Sequence, residues 1–292
     1  MKDKIYVTIG LPFYNAEDFL EMAIKSIFAQ TYPYWELILM DDGSTDDSLA
    51  IAKSISDSRV RVISDGKNKK LAARLNEIVR IAKYDVIMRM DADDLMSTER
   101  LERQIEELEK YPEVDLISTG TISITNSLQY IGSRGQDISD ISLQDLLSRR
   151  ASPLHASIVG RKAWFSRNSY DEKLKIAQDY DLWLRSSASG DFNIRIISDR
   201  LYYYREENNA TAKKVLAAYK NERQMFKKYA IGGHLSYWLK SKVKSFAVYF
   251  IALLGKEDWL LKRRSPSKFN EEEKRKYLME VEKIKRFELP KK

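Results

Sequence analysis

The chain has 292 residues, of which 43% are hydrophobic, enough for one large globular domain or for one domain with an appended segment. It contains no cysteine, which excludes disulfides and cysteine-based metal sites or nucleophiles and fits a reducing compartment. The net charge of +7 is unevenly distributed, because residues 206–292 hold 22 basic against 11 acidic side chains, whereas residues 1–205 are net acidic.

The first ninety residues alternate between strand and helix patterns. Hydrophobic residues recur at every second position from Ile5 to Ile9, which predicts a strand that Pro12 ends. The elements predicted next are a helix over 15–30, a strand over 37–40, a helix over 46–55, a strand over 60–63, a helix over 71–82 and a strand over 86–90. This order is typical of a parallel sheet with crossover helices. No apolar signal-peptide core precedes the first strand, so we expect a cytoplasmic protein.

The rest of the chain divides into a mixed part and a helical part. Ser97 is predicted to cap a helix that stops before Pro112. After it come a predicted strand over 114–118, short apolar runs at 122–124 and 157–159, and helical stretches near 141–147 and 179–187. Beyond residue 205 the pattern is helical and basic, over 217–229 and 234–254. We predict an α/β domain over residues 1–205 and a basic helical region over residues 206–292.

Two clusters of acidic residues each follow a predicted strand. They are Asp41 and Asp42 after the strand over 37–40, and Asp91, Asp93 and Asp94 after the strand over 86–90. Ligands of open α/β sheets bind beyond the carboxyl ends of the strands, so both clusters are expected at one cleft. Crowded carboxylates repel each other, and a divalent cation that carries a phosphate-bearing ligand would neutralise them. For either cluster alone, an ordinary turn is the alternative.

Known phosphate-binding loops are absent from the sequence. The first strand is not followed by Gly-x-Gly-x-x-Gly, and no Gly-x-x-x-x-Gly-Lys-[Ser/Thr] motif occurs. Neither a dinucleotide fingerprint nor a P-loop is therefore present, and a bound phosphate has to be held in another way.

Five segments of the chain together carry a family resemblance. They are Leu-Pro-Phe-Tyr-Asn-Ala-Glu at 11–17, Ser-Ile-Phe-Ala-Gln-Thr-Tyr at 26–32, Trp-Glu-Leu-Ile-Leu-Met-Asp-Asp-Gly-Ser-Thr-Asp at 35–46, Arg-Met-Asp-Ala-Asp-Asp at 89–94 and Gln-Asp-Tyr-Asp-Leu-Trp-Leu-Arg at 178–185. In this order they resemble the family 2 glycosyltransferases, GT-A-type inverting enzymes that use nucleotide sugars. The resemblance covers residues 5–205 and implies a Rossmann-like, mostly parallel sheet flanked by helices, followed here by a helical extension.

The resemblance implies roles for residues in the first two strand–helix turns. Residues expected around the nucleotide base and ribose are Pro12, Tyr14, Glu17 and Asp42. Tyr14 would stack on the base, and Asp42 would accept a hydrogen bond from the uracil or the ribose. Asp46 is better explained as an acid at a helix N-terminus than as a ligand contact.

The resemblance also implies a metal site. Asp91 and Asp93 match the family's Asp-x-Asp element, whose carboxylates reach the ribose and a Mn²⁺ or Mg²⁺ ion that bridges the diphosphate. Asp94 is either a third ligand or a helix cap. His155 resembles a histidine that faces the donor diphosphate in some members, where it would complete the metal shell or bind a phosphate. For a single histidine, a structural role is the alternative.

Asp179 matches the position of the family's catalytic base, which takes a proton from the acceptor hydroxyl. A helix N-terminal acid is the alternative for Asp179, and Asp181 is interpreted as structural. The chain departs from the family pattern at Lys70, where many members have glycine. It is therefore open whether a ligand can come as close to the backbone at this position as a glycine would allow. The basic residues proposed to contact the diphosphate instead are Lys67, Lys69 and Arg74. Arg205 is expected to reach a phosphate or to pair with an acid.

The basic region contains an amphipathic pattern. Apolar residues from Trp238 to Leu254 recur at mostly helical intervals, with Lys240, Lys242 and Lys244 between them. The unbroken apolar run is too short to span a bilayer. We expect a peripheral element on the cytoplasmic face of a membrane or, alternatively, an interface with the catalytic domain or a second subunit. Nucleic-acid binding is less well supported, because no recognition module accompanies the charge.

The resemblance implies transfer of a sugar from a nucleotide diphosphate donor, expected to be a UDP-sugar, to a hydroxyl of a saccharide acceptor. The acceptor is expected to be lipid-linked, as in the synthesis of a capsule, O-antigen or exopolysaccharide. Nucleotidyltransfer and a non-catalytic nucleotide-sugar-binding module recruited to membranes are the alternatives. A homo-oligomer is left open.

Overall fold

The computed structural model describes residues 4–174, 176–206, 211–230, 233–255 and 270–292. Its strands are β1 (Val7–Phe13), β2 (Trp35–Asp41), β3 (Val60–Ile63), β4 (Val86–Arg89), β5 (Leu95–Met96), β6 (Leu116–Ile124), β7 (Tyr130–Arg134), β8 (Val159–Arg161) and β9 (Ile194–Arg205). Its helices are α1 (Glu17–Phe28), α2 (Ser48–Ser54), α3 (Lys70–Ile81), α4 (Arg100–Lys110), α5 (Leu143–Ser148), α6 (Lys162–Arg167), α7 (Gln178–Ala188), α8 (Ala212–Tyr229), α9 (His234–Leu253) and α10 (Glu271–Arg286), and one 3₁₀ turn covers His155–Ser157.

The strands form a single sheet in the order β3-β2-β1-β4-β8-β6-β9-β5, with β7 paired to β6. The first four strands are parallel, with β1 between β2 and β4. β8 lies antiparallel between β4 and β6, and β6 pairs in parallel with β9. The predicted α/β sheet, flanked by helices and followed by a helical C-terminal part, is confirmed. Its parallel half is the N-terminal one, and the later half is mixed.

The first strand is longer than the sequence predicts. β1 does not end before Pro12 but continues to Phe13. Proline is tolerated there because β4 pairs with β1 only as far as Gly10, so the missing N–H interrupts no ladder on that side. Gly10 also lets α3 lie close to β1, since a Cβ at this position would come within 2.6 Å of the Ile78 side chain.

The predicted cap at Ser97 is wrong. α4 begins at Arg100, with Glu99 at the N-cap position. Ser97 instead takes part in the sheet. Its N–H donates to the carbonyl of Leu201 at 3.0 Å and prolongs the pairing of β5 with β9. The chain therefore enters the helix only after this contact is made.

The predicted strand over 114–118 and the apolar run at 122–124 belong to one strand, β6. It stays continuous through Gly120, where its register with β9 shifts. β9 itself was not predicted, because the polar residues 198–200 interrupt its apolar pattern. Nor were β7, α6 and the two-residue strand β5. Each of these elements is short or irregular, and β5 and β9 also pair with each other across about 100 residues of sequence.

The C-terminal helices pack on the sheet-containing part in two places. Met225 and Phe226 of α8 share a core cluster with Trp183. Tyr277 and Val281 of α10 belong to a second cluster with β5, β6 and β9. The boundary predicted at residue 205 stays a prediction, and residues 207–210, 231–232 and 256–269 of the basic region lie outside the described residues. None of the described helices is both long and apolar enough to cross a bilayer.

Candidate active site

The ends of β1, β2 and β4 lie side by side and bring the first predicted site residues to one edge of the sheet. The register places Phe13 opposite Asp41 and Gly10 opposite Arg89. Consequently Pro12, Tyr14, Asp42, Asp91 and Asp93 all lie at or just beyond these strand ends. Pro12 is buried, whereas Tyr14, the residue after β1, is 49% exposed.

Asp42 fastens the end of β2 to the start of α3. Its Oδ1 accepts hydrogen bonds from the Lys69 N–H at 2.7 Å and from Arg74 Nε at 2.9 Å, and its Oδ2 accepts one from the Lys70 N–H at 3.1 Å. Lys70 adopts a positive φ of 73°, a left-handed conformation that glycine adopts most readily. Many family members have glycine at this position. The backbone thus keeps a glycine-like geometry at this turn although the side chain is lysine.

Arg74 is fully engaged in the protein and buried. Its guanidinium also binds Asp65 and Glu77, both at 2.6 Å. Burial lowers the pKa of Arg74, but the hydrogen bonds from Asp65, Glu77 and Asp42 outweigh this and raise it. Lys69 Nζ is paired with Asp65 and Glu77 as well. Arg74 and Lys69 therefore hold the Asp42 turn, and their charge is balanced without a diphosphate.

The N-termini of α1 and α2 are joined to each other through acidic side chains. Asp46 accepts hydrogen bonds from the Glu17 N–H at 3.1 Å and the Ser48 N–H at 3.0 Å. Glu17 in turn accepts one from the Asp47 N–H at 2.8 Å. Asp46 is thus a helix N-terminal acid, in agreement with the sequence interpretation, and Glu17 has a structural contact beside the predicted nucleotide site.

Three carboxylates come together in the loop after β4. Oxygen atoms of Asp91, Asp93 and Asp94 all lie within 4.8 Å of one another. Asp94 is buried, and it accepts hydrogen bonds from the Tyr202 hydroxyl and the Arg205 N–H, both at 2.8 Å. Asp94 therefore ties the loop to β9 and does not cap α4, so of the two predicted roles the helix cap is wrong.

The crowding of these carboxylates changes their proton affinities. Burial, followed by the charges of Asp93 and Asp91, raises the pKa of Asp94 well above its ordinary value. Loss of hydration and then the charge of Asp91 raise the pKa of Asp93 as well. Arg205 counteracts this, because its Nε donates to the Asp93 carbonyl and its charge favours the ionised carboxylate. Arg205 thus acts from β9 on residues 91–94, which we call the acidic loop.

Arg89, the last residue of β4, is a site residue that sequence reasoning missed. Its Nη2 donates to Asp91 at 2.6 Å, while Nε and Nη1 are buried without a hydrogen-bond partner in the described part of the chain. Burial lowers the pKa of Arg89, but nearby negative groups, Asp91 first and Asp179 among them, raise it. The signal in the sequence was an arginine inside an otherwise apolar strand, which requires compensation.

Asp179 lies in the first turn of α7, which follows the left-handed residue Ala177. It is near enough to Arg89 and Tyr170 for its charge to raise the pKa of both. Asp181 points elsewhere, because it accepts hydrogen bonds from Tyr229 at 2.7 Å and Lys228 at 3.0 Å. This agrees with the interpretation of Asp181 as structural.

His155 lies in the 3₁₀ turn before β8. Its Nε2 forms a hydrogen bond with the Tyr170 hydroxyl at 2.7 Å, and its ring packs against Trp183. Burial, followed by the charge of Arg89, lowers the pKa of His155 well below its usual range and keeps the imidazole neutral. The three-carboxylate group does not include His155, and its role as a metal ligand stays a prediction.

The family model described as glycosyl transferase family 2 matches residues 8–174. The chain belongs to this family. It is 35% identical over 214 residues to EpsE of Bacillus subtilis, assigned as a glycosyltransferase, and the match covers 71% of this chain and 74% of that protein. It is also 30% identical over 188 residues to chondroitin synthase from Escherichia coli, covering 64% of this chain but 27% of the synthase.

Solved structures of glycosyltransferases share the fold of this family 2 enzyme. TarS from S. aureus in complex with UDP has a TM-score of 0.58 at 17% identity, covering 75% of this chain and 65% of that chain. The mannosyltransferase PcManGT from Pyrobaculum calidifontis, in complex with GDP-Man and Mn²⁺, has a TM-score of 0.60 at 16% identity, covering 98% of this chain and 82% of that chain. The GT-A-type fold implied by the sequence motifs is therefore confirmed.

Proposed function

We propose that this family 2 enzyme transfers a sugar, with inversion, from a nucleotide diphosphate donor, a UDP-sugar, to a hydroxyl group of a saccharide acceptor. The observation that carries the proposal is the position of Arg89. It donates a hydrogen bond to Asp91 of the acidic loop, and Asp179 of α7, from a distant part of the chain, is near enough for its charge to raise the pKa of Arg89. Inverting transfer needs one carboxylate group at the leaving diphosphate and another at the incoming hydroxyl, within a single cleft.

The donor nucleotide would occupy the ends of β1 and β2. The exposed ring of Tyr14 offers a stacking surface for the base beside Pro12. Asp42 keeps lone pairs for a ligand, because a carboxylate has about four acceptor positions and three are used here. Glu17 would act next to them at the start of α1.

A Mn²⁺ or Mg²⁺ ion fits the residues of the acidic loop. Asp91 is partly exposed and Asp93 is exposed, and both offer the hard oxygen ligands that these ions prefer. Asp94 lies behind them with both oxygens already in hydrogen bonds. When bound, the cation supplies charge neutralisation to the departing diphosphate, worth several kcal/mol in the transition state. Arg89 binds the carboxylate of Asp91, and Arg205 binds the backbone carbonyl of Asp93.

Asp179 would act as the general base. It accepts the proton of the acceptor hydroxyl while the hydroxyl oxygen forms a new bond to the anomeric carbon. On the opposite face the bond from that carbon to the diphosphate oxygen breaks, and the nucleoside diphosphate leaves with the electron pair. General-base catalysis of this kind raises the reaction rate about 10²–10⁴-fold.

The acceptor is proposed to be a lipid-linked saccharide of a surface polysaccharide, presented at an anionic membrane. The support is an exposed apolar stripe on α9, which we call the α9 face: Leu239, Val243, Phe246, Phe250 and Leu253. Three exposed lysines border it, at positions 240, 242 and 244, and α9 contains no acidic residue. An apolar face bordered by cations complements the boundary between acyl chains and anionic head groups.

The donor is tested by binding and hydrolysis of UDP-, GDP-, dTDP- and CMP-sugars, each with and without Mn²⁺. We expect UDP-sugars to raise the melting temperature, and only when the metal is present. A metal-independent response, or none with any donor, would refute the proposed donor and metal.

A further inference from the structure

A polar cavity lies on the later half of the sheet, on strands other than β1 and β2, whose ends are proposed to hold the nucleotide. It has a volume of about 540 Å³ and is lined by residues of β6, β7 and β9 and by the segment 149–154. Four arginines line it, namely Arg134, Arg149, Arg150 and Arg200, and none of the described residues that line it is acidic. The volume falls in the range of small-molecule sites and would hold one or two sugar rings.

The arginines are held in place by acids outside the cavity lining. Arg134 pairs with Glu206 at 2.8 Å, and Arg149 pairs with Glu222 at 3.0 Å; both acids are buried. Two further pairs join Arg200 to Glu273 at 3.0 Å and Arg150 to Asp145 at 3.8 Å. The guanidinium groups of Arg134, Arg149 and Arg200 are therefore positioned before any ligand arrives, which lowers the entropy cost of binding one.

The guanidinium groups at the cavity rim also stay accessible to a ligand. The side chains of Arg200 and Arg150 are 41% and 68% exposed, respectively. A guanidinium has five N–H donors in a planar fork, which suits carboxylate and phosphate groups. The acids that pair with these arginines are not among the described residues that line the cavity. The chemistry of the cavity is that of an anion site.

Two contacts connect the cavity lining to segments that carry proposed site residues. The guanidinium of Arg149 lies 3.6 Å from the ring centroid of Tyr180, the neighbour of Asp179. Glu206, the partner of Arg134, directly follows Arg205, which holds the Asp93 carbonyl. The cavity lining is therefore joined to α7 and to the end of β9, the segments that carry Asp179 and Arg205.

We propose that this cavity binds a negatively charged group of the acceptor saccharide, either a sugar carboxylate or a phosphate. Its role as an acceptor subsite rests on the proposed function, whereas anion binding itself does not. The bound charge would fix the register of the saccharide so that one hydroxyl faces Asp179. An uncharged saccharide of the same size lacks this anchor.

The test is a titration of the full-length protein, free of metal, with methyl glucuronide, glucose 6-phosphate and methyl glucoside, followed by ligand-observed NMR. We expect at least one charged sugar to bind tenfold or more tightly than methyl glucoside. Preference for the glucuronide assigns a carboxylate, and preference for the phosphate ester assigns a phosphate. Equal binding of all three sugars would overturn the inference.

Variants separate this cavity from the rest of the surface. Arg150→Gln should weaken the charged sugar by about threefold to tenfold, and Arg150→Lys should retain more of the binding. Arg80→Gln is the matched control, because Arg80 is 69% exposed and has one distant acidic partner, Glu77 at 3.9 Å, much as Arg150 has Asp145. Equal effects at Arg80 and Arg150 would contradict a site.

The two proposals fail in different ways. Binding of a charged sugar that depends on Arg150, in a protein that binds and hydrolyses no nucleotide sugar, would refute the proposed function and leave the anion site standing. Donor binding with no discrimination between charged and neutral sugars would refute the anion site alone.

Discussion

Arg89 donates to Asp91 across 2.6 Å, yet two of its three side-chain nitrogen atoms are buried without a hydrogen-bond partner among the described residues. An unsatisfied buried donor costs about 1–3 kcal/mol, so these two nitrogen atoms lower the stability of the folded protein. Arg100, eleven residues later at the start of α4, has its donors satisfied instead. It is fully buried, and its Nε and Nη2 donate to Gln104 and to the carbonyl of Arg89.

The contrast between these two arginines gives the first prediction. Arg89→Met should change the free energy of unfolding by no more than about 1 kcal/mol, because it removes unsatisfied donors along with one ion pair. Arg100→Met should cost about 3 kcal/mol or more, because it leaves several acceptors unpaired. Arg89→Met should nevertheless lower sugar transfer at least tenfold. Chemical denaturation and a transfer assay on the same preparations test both parts, and full activity of Arg89→Met would remove Arg89 from the site.

Asp179→Asn should lower the rate of transfer by about 10²–10⁴-fold and leave donor affinity within about twofold, because only the proton acceptor is lost. The matched control is Asp181→Asn, two positions along the same helix. Asp181 contacts α8, and its loss should lower stability but not the activity of the folded enzyme. Single-turnover rates and donor titrations decide this. Transfer by Asp179→Asn at the wild-type rate would rule out the base assignment.

Asp181 also predicts a pH dependence of stability. Burial raises its pKa, but Tyr229 and Lys228, with Arg185 adding its charge, outweigh burial and lower the pKa in the folded state. A group with a depressed folded pKa stabilises above its unfolded pKa of about 4 and loses this contribution as pH falls further. Asp181→Asn should therefore flatten the acid side of the stability profile. Melting temperatures from pH 3 to 7 measure this, and parallel profiles for both proteins would contradict it.

Removal of one carboxylate from the acidic loop should act through the metal. Asp93→Ala is expected to fold normally, since Asp93 is exposed, and to lose the part of donor binding that depends on Mn²⁺. Asp85→Ala is the control, because Asp85 is exposed just before β4, at the opposite end of the strand. Calorimetric donor titrations with Mn²⁺ and with a chelator give the comparison. A metal-dependent gain in affinity that survives in Asp93→Ala would argue against this ligand.

Lys70 is held in a conformation that costs a residue with a side chain about 1–2 kcal/mol. Lys70→Gly should remove this strain at the price of greater freedom in the unfolded chain, for a net gain of about 0.5–1 kcal/mol. Lys70→Ala removes the side chain but keeps the positive φ of 73°, and should give no such gain. Urea denaturation of the three proteins tests this, and equal stabilities would show that the turn is relaxed.

The α9 face predicts binding to anionic vesicles. Phe246→Glu should reduce co-sedimentation with phosphatidylglycerol vesicles at least fivefold, because Phe246 is 77% exposed on the apolar stripe. Met279→Glu is the control, since Met279 is 65% exposed on α10, outside the stripe. Phosphatidylcholine vesicles alone should bind little of either protein. A dimer in sedimentation velocity that Phe246→Glu dissociates, without vesicle binding, would assign the α9 face to a subunit interface instead.

Local sequence patterns were enough to predict which side chains stand at the strand ends. Period-two and period-3.6 patterns located the parallel strands and their helices, and acids after β2 and β4 therefore had to lie at one edge. These are local properties, because a strand of the pattern seen before Asp42 or Asp91 buries both faces wherever it pairs. The family motifs then added the expected roles of Tyr14, Asp93 and Asp179.

The use of those side chains depends on contacts between distant parts of the chain, which local patterns do not contain. Asp94 depends on Tyr202, 108 residues away, and Asp42 on Arg74, 32 residues away, so neither partner follows from a local pattern. The two buried nitrogen atoms of Arg89 and the four-arginine cavity likewise arise where distant segments meet. Periodicity records which face of an element is buried, whereas the partner of a buried charge is set by which elements the chain brings together, and that is a property of the whole fold.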